Sequence, residues 1–80
     1  MKKNDFLVAI ASALEVELNT VTIDLKIGDI PEWDSLGHLR ILSFLDDLTA
    51  GKAGEIRRLG TMESLKDIWG AFVQAGIGSD

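Results

Sequence analysis

The middle of the chain reads Glu32-Trp33-Asp34-Ser35-Leu36-Gly37-His38-Leu39-Arg40-Ile41-Leu42. A long polar loop ends here and an amphipathic helix begins, with Ser35 at the junction. An Asp-Ser pair ahead of periodic apolar residues predicts a helix start, because either side chain can accept a hydrogen bond from the free amides of the first turn. Pro31 keeps Ile30 extended, so we expect no helix to begin before Asp34.

The helix that follows is predicted to run from Ser35 to about Leu48, with a broad apolar stripe facing the core. That stripe consists of Ile41, Leu42, Phe44, Leu45 and Leu48. His38 aligns with the stripe, which predicts a histidine hydrogen-bonded at the edge of the core. Leu36 instead shares the opposite stripe with Arg40, Ser43 and Asp47, so we expect Leu36 to face solvent.

The N-terminal part predicts one helix followed by an extended loop. Asn4 and Asp5 can cap a helix that reaches about Leu18, with apolar positions Phe6, Leu7, Ile10, Ala13, Leu14 and Leu18. In the next segment, polar residues alternate with Val21, Ile23, Leu25 and Ile27, which is a strand pattern. Because no second strand is available, we expect an extended loop whose apolar side chains pin it to a helical core. Gly28-Asp29 then turns the chain.

The C-terminal part predicts a short helix and a last longer one. Glycines after Leu48 end the preceding helix, and residues 55 to 59 can form only a short helix. Thr61 is the predicted N-cap of the last helix, Gly70 is expected to permit a close approach, and Gly76 ends the helix. Its apolar face is Met62, Leu65, Ile68, Trp69, Phe72 and Val73, and both tryptophans, Trp33 and Trp69, are expected in the core.

Length and a hydrophobic content of 46% predict one domain that covers residues 1 to 80, and the three amphipathic stripes, each of which needs a partner face, predict that it is all-α. The absence of Cys and the single His exclude disulfides and the usual zinc ligand sets. The net charge of -5 argues against a nucleic-acid partner and for partners with basic patches. No apolar run approaches the length of a membrane span, and no signal-peptide pattern follows Met1, so we expect a cytoplasmic protein without a membrane partner.

The Asp34-Ser35-Leu36 sequence resembles the prosthetic-group attachment site of acyl carrier proteins, and Trp33 and Gly37-His38-Leu39 extend that resemblance. The serine also lies near mid-chain, after one helix and a long loop, as it does in the family. The resemblance implies a four-helix bundle with three longer helices and a short third helix. It also implies a 4'-phosphopantetheine arm on Ser35, with Asp34 and Leu36 flanking the attachment site, and acyl groups carried on the arm as thioesters.

The same resemblance implies partners rather than catalysis. A phosphopantetheinyl transferase would supply the base and metal for attachment, and acyl-loading ligases or synthases would charge the arm of a monomeric, non-enzymatic carrier. On the second helix the resemblance implies Leu36 and Asp47 as partner-binding residues, and we expect Arg40, which lies on the same exposed stripe, to take part as well. The chain departs from many relatives where Gly37, His38 and Arg40 replace acidic residues.

Other interpretations of Ser35 stay open at the level of sequence. A hydrolytic serine would need a base, an orienting group and an oxyanion hole, and His38 is the base candidate within helical reach. Peptidyl or aminoacyl carriers usually have Gly and His ahead of the serine, where this chain has Trp33 and Asp34. A small acidic helical docking module would use Ser35 only as a helix cap. The cargo of a carrier, whether a fatty acid, hydroxy acid, amino acid or polyketide unit, is not specified by the sequence.

Overall fold

The computed structural model describes residues 1–79, and within them the chain is all-α. Its three α-helices are α1 (Lys3–Leu14), α2 (Ser35–Leu48) and α3 (Leu65–Gln74). Single-turn 3-10 helices lie at Leu18–Thr20, Ala53–Glu55 and Leu59–Thr61. The only β-type pairing in this range is an isolated bridge between Lys26 and Ser64. The all-α prediction is therefore confirmed.

The first helix is shorter than the sequence pattern predicted. It ends at Leu14, because Glu15 adopts a left-handed conformation with φ 58° and the Val16 amide turns back to the Ala11 carbonyl. Leu18, predicted in the core, is exposed and belongs to the following 3-10 turn. The expected caps Asn4 and Asp5 lie inside the helix, whose N-cap residue Lys2 makes no side-chain capping bond.

The long loop between α1 and α2 is held against the core as predicted. Val21 and Leu25 are buried, and Ile23 and Ile27 are half-buried against the same cluster. Two backbone bonds fasten this loop to the start of α3: the Ile27 amide donates to the Glu63 carbonyl at 2.8 Å, and the Leu65 amide donates to the Leu25 carbonyl at 3.0 Å. These two bonds pair part of the loop backbone, and the only β-type feature they form is the isolated bridge between Lys26 and Ser64.

The second helix has the predicted bounds, but its buried stripe is narrower than predicted. Ile41 and Leu45 are fully buried, whereas Phe44 is 37% exposed and Leu48 is 52% exposed. Periodicity gives the direction in which a helix faces the core, but the width of the buried stripe depends on how many neighbours cover the helix. Here Phe44 and Leu48 lie on the margin, so their prediction as core residues is wrong.

No α-helix forms between α2 and α3, where a short third helix was predicted over residues 55 to 59. Two side chains near the end of α2 hold this segment instead: Asp46 Oδ1 accepts from the Gly54 amide at 3.0 Å, and Thr49 Oγ1 accepts from the Ala53 amide at 2.9 Å. Because these bonds fix the backbone at its start, it forms 3-10 turns at Ala53–Glu55 and Leu59–Thr61.

The third helix begins later in the chain than predicted. Ser64, not Thr61, is the N-cap, and its hydroxyl accepts from the Asp67 amide at 3.2 Å. Thr61 closes the preceding turn by donating to the Arg58 carbonyl. Consequently Met62 lies outside the helix. The helix ends at Gln74, just before Gly76, as predicted.

Aromatic side chains from α1 and α3 form one end of the core. The Phe6 ring lies 5.1 Å from the Trp69 ring and 5.6 Å from the Phe72 ring, between centroids. Trp33 is fully buried as well, so the placement of both tryptophans in the core is confirmed. Gly70 makes no close approach, because a Cβ there would meet nothing within 4 Å. Val73, predicted on the apolar face of α3, is exposed.

Candidate functional site

Ser35 is the first residue of α2 and is exposed. Asp34 is the N-cap: its Oδ1 accepts from the Gly37 amide at 2.8 Å, and its carbonyl accepts from the His38 amide at 2.8 Å. Within residues 1–79 the Ser35 hydroxyl makes no hydrogen bond. Asp34 therefore does the capping, and the Ser35 hydroxyl is left accessible on a rigid helix start.

The loop that delivers Ser35 closes on itself around a buried tryptophan. The Gly28 amide donates to the Trp33 carbonyl at 2.9 Å, and the Trp33 amide donates to the Ile30 carbonyl at 3.1 Å. The Trp33 side chain is fully buried, and its indole Nε1 donates to His38 Nδ1 at 3.1 Å. Ser35 thus follows an anchored turn instead of a loose loop.

His38 is buried and both of its ring nitrogens are engaged. Since an indole N–H can only donate, His38 Nδ1 accepts, and Nε2 carries the proton and donates to the Leu59 carbonyl at 3.0 Å. The prediction of a histidine bonded at the core edge is confirmed. His38 is consequently not placed to accept a proton from Ser35, which leaves the hydrolytic interpretation without its base.

Gly37 lies where three segments meet. A Cβ at this position would overlap the Glu32 carbonyl oxygen and would lie 3.1 Å from Leu14 Cδ2. The end of α1, the loop and the first turn of α2 can therefore approach one another only because residue 37 has no side chain. Gly37 was noted in the sequence as part of the family resemblance. Its steric role was not predicted, because the contacts with Glu32 and Leu14 are tertiary.

The exposed side of α2 presents the predicted partner-binding residues. Leu36 is 59% exposed, which confirms its placement toward solvent, and Leu39, which had no predicted role of its own, is 62% exposed. Arg40 lies one turn beyond Leu36 and pairs with Glu15 at 3.6 Å. Asp47 is also exposed, but it lies eleven residues after Leu36, or about 16 Å along the helix axis.

An open groove of about 400 Å³ lies beside Ser35, between α2 and the segment that leads into α3. Its lining is Ile27, Ser35, His38, Leu39, Leu42, Gly60, Thr61, Met62 and Glu63. Because His38 donates to Leu59 and Ile27 to Glu63, both walls are tied to the rest of the fold. A larger groove of about 600 Å³ follows α3, and its lining does not include Ser35.

Neither a metal-ligand cluster nor a helix of membrane-spanning character occurs in the part of the chain that the structure describes. Residues 1–79 contain no group of three or more His, Asp or Glu side chains that could hold a metal ion. Nor does any helix in this range have the length and apolar character needed to cross a membrane.

No protein-family model matches the chain, and no curated protein and no solved structure matches it significantly. The assignment of function therefore depends on the motif and on the geometry around Ser35.

Proposed function

We propose that this protein is an acyl carrier protein that bears 4'-phosphopantetheine on Ser35 Oγ. Acyl groups are bound to the arm as thioesters and are presented to partner enzymes of fatty acid, polyketide or related biosynthesis. The observation that carries the proposal is the exposed and unbonded Ser35 hydroxyl at the first residue of a helix that Asp34 already caps. The Ser35 side chain is not needed to cap the helix, and Ser35 lies in the Asp34-Ser35-Leu36 motif.

The helix start suits a phosphodiester at this position. The amides of Ser35 and Leu36 have no acceptor within residues 1–79, because Asp34 takes only the amides of Gly37 and His38. Free amides and the positive end of the helix dipole favour a phosphate group at the N-terminus by about 0.3–1 kcal/mol. A phosphate linked to Ser35 Oγ would lie next to these donors.

The chemistry around Ser35 fits an acceptor that is modified by another enzyme. The chain has no Cys, so the thiol for a thioester must come from an attached group. His38 is held by Trp33 and Leu59, and it cannot deprotonate the serine while those bonds stand. A phosphopantetheinyl transferase would supply the base and the metal, and the carrier would supply an accessible hydroxyl. The Ser35 oxygen would then form a bond to the pantetheine-side phosphorus of coenzyme A, its proton would pass to the base of the transferase, and adenosine 3',5'-bisphosphate would leave.

The order of the elements supports the proposal in part, because the structure has three α-helices where the resemblance implies four. Under this proposal α1, α2 and α3 take the places of the first, second and fourth helices of the four-helix bundle, and the long loop keeps its place after the first. The two 3-10 turns at Ala53–Glu55 and Leu59–Thr61 take the place of the short third helix. The groove beside Ser35 offers the arm an apolar wall at Leu39, Leu42 and Met62.

The proposal includes partners and a location. A phosphopantetheinyl transferase and an acyl-loading ligase or synthase act on a monomeric carrier in the cytoplasm. Leu36, Arg40 and Asp47 lie on the exposed side of α2, where such enzymes could reach them without disturbing the core.

Intact-mass measurement tests the proposal. Incubation of the protein with coenzyme A and a broad-specificity phosphopantetheinyl transferase should add one phosphopantetheinyl group. Ser35→Ala should abolish the addition, and Ser43→Ala, which changes another exposed serine of the same helix, should leave it intact. Modification of the Ser35→Ala variant would move the site to another serine.

Failure of the wild-type protein with several transferases would overturn the carrier proposal and favour an acidic helical docking module. If the arm is attached, loading assays with acyl and aminoacyl substrates separate an acyl carrier from a peptidyl or aminoacyl carrier.

A further inference from the structure

His38 lies between the groove beside Ser35 and the hydrophobic core. It lines the groove and is only 6% exposed, whereas the Trp33 side chain, whose ring is nearly parallel to the imidazole at 6.1 Å between centroids, is fully buried. An acyl chain on an arm at Ser35 would lose contact with water by passing from this groove into the core, and the hydrophobic effect favours that transfer. Entry of the chain therefore depends on what holds His38 in place.

The imidazole of His38 connects three segments of the chain. Its Nδ1 accepts from Trp33 Nε1 at 3.1 Å, and its Nε2 donates to the Leu59 carbonyl at 3.0 Å. Trp33 belongs to the loop before α2, and Leu59 begins the 3-10 turn that contributes to the groove wall. The same carbonyl accepts from the amide of Met62, another groove residue, at 3.2 Å. This Trp33–His38–Leu59 network joins the segments between which an acyl chain would have to pass.

Opening the network would leave polar groups unpaired inside the core. An alkyl chain has no polar atom that could replace the two bonds, so the indole N–H of Trp33 and the imidazole N–H of His38 would lose their acceptors in an apolar interior. The start of α2 also has little room to move aside, because Gly37 packs against the Glu32 carbonyl oxygen and Leu14. The gain from burying an alkyl chain is thus opposed by the loss of these bonds and contacts.

The groove outside the network is open and has a mixed lining. Leu39, Leu42 and Met62 give it an apolar wall, while the exposed residues Thr61 and Glu63 add a hydroxyl and a carboxylate. A long alkyl chain in such a groove would keep much of its surface in water, which is unfavourable in proportion to its area. A group with few carbons, or one with polar atoms of its own, has no such cost.

We propose that the Trp33–His38–Leu59 network keeps the cargo out of the core, so that this carrier takes short or polar acyl groups and not long alkyl chains. His38 is the residue that determines this specificity, because it alone bonds to both of the other segments. This inference rests on the proposed function and adds the class of cargo to it. A long acyl chain on the arm gains no protection from solvent in this carrier.

The test compares the full-length protein with an acetyl or a dodecanoyl group on the arm. A broad-specificity transferase attaches each from the corresponding acyl-coenzyme A, and intact mass verifies the loading. In the wild-type protein the urea midpoints of the two forms should differ by less than about 0.3 M, because a cargo that does not enter the core does not stabilise it. Relative to the same acyl groups on free pantetheine, hydroxylamine should cleave both thioesters at rates within about twofold of each other, since neither is sheltered.

Substitutions of His38 test the role of the network. In His38→Ala the dodecanoyl form should unfold at a midpoint about 1 M higher than the acetyl form, and its cleavage should slow by about fivefold, because the chain can now enter the core. His38→Gln should behave like wild type, since its side-chain oxygen can accept from the indole and its amide N–H can donate to Leu59. Val21→Ala is the control for a cavity elsewhere: Val21 is buried but does not line the groove, so both midpoints should fall equally.

The outcomes separate this inference from the proposed function. Trp33→Phe, which keeps a buried ring but removes the indole N–H, should shift both readouts in the same direction as His38→Ala and replaces that variant if it does not fold. If the dodecanoyl form of the wild-type protein is stabilised or protected, or if neither variant responds to chain length, the inference is wrong and the carrier proposal stands. It is also wrong if His38→Gln behaves like His38→Ala. If the wild-type protein accepts no arm at all, both proposals fail.

Discussion

Substitution of Gly37 by Ala tests the packing that places Ser35. In the first turn of α2 an added Cβ would overlap the Glu32 carbonyl oxygen and press on Leu14 Cδ2. The oxygen belongs to the backbone of the loop that Trp33 anchors, so it cannot rotate away as a flexible side chain would. Either the loop or the start of α2 must move.

The expected loss of stability follows from two opposing terms. Ala in place of Gly inside a helix stabilises by about 0.5–1 kcal/mol. Overpacking a close contact costs about 1–3 kcal/mol, and contact with an anchored carbonyl belongs at the upper end of that range. We therefore expect Gly37→Ala to lower the free energy of unfolding by about 2 kcal/mol.

Urea unfolding followed by tryptophan fluorescence measures this change, because Trp33 and Trp69 are both buried in the folded protein and become exposed on unfolding. With a slope of about 1 kcal/mol/M for a domain of this size, the midpoint should fall by about 2 M. Gly70→Ala is the matched control: this glycine is also inside a helix, and a Cβ there meets nothing within 4 Å. That variant should gain about 0.5–1 kcal/mol. A Gly37→Ala protein as stable as wild type would refute the steric argument.

Two further substitutions test the bonds around Ser35, each by urea unfolding. His38→Leu should destabilise by about 1–3 kcal/mol, because it leaves the Trp33 indole N–H buried without a partner and removes one of the two bonds that the Leu59 carbonyl accepts, the other coming from the Met62 amide; an unchanged midpoint would show that the two His38 bonds contribute nothing. Asp34→Ala should cost about 1 kcal/mol through the lost N-cap, whereas Ser35→Ala should cost less than about 0.5 kcal/mol. Equal losses for these two variants would mean that the capping role was assigned to the wrong residue.

The sequence predicted the second helix well because its signals are local. An Asp-Ser pair after Pro31 marks the start of α2, and the predicted bounds Ser35 to Leu48 are those of the structure. The solvent-facing position of Leu36 and the core-facing position of His38 also follow from helical periodicity. For the same reason, local sequence was enough to single out Ser35 as the candidate site residue.

The errors have two causes, a local turn of the backbone at the end of α1 and pairing between distant segments ahead of α3. The pattern continued the first helix to Leu18, but Glu15 turns left-handed and ends it. Thr61 is a good N-cap by type, yet Ser64 takes that role, because the neighbouring backbone is paired with the loop at Leu25 and Ile27. Capping preferences depend only on residue types near the helix start, so they cannot predict pairing between segments that are far apart in the chain.

By itself, the sequence determined the helical class of the fold, the position of Ser35 at a helix start and the burial of both tryptophans. These depend on residue type and on spacing within one element, and both can be read from the chain. Only the tertiary structure decided that His38 forms hydrogen bonds with Trp33 and Leu59. It also decided that Glu32 and Leu14 pack closely against Gly37 at the start of α2. Those contacts join segments that are separated along the chain, and their geometry is set by packing instead of local preference.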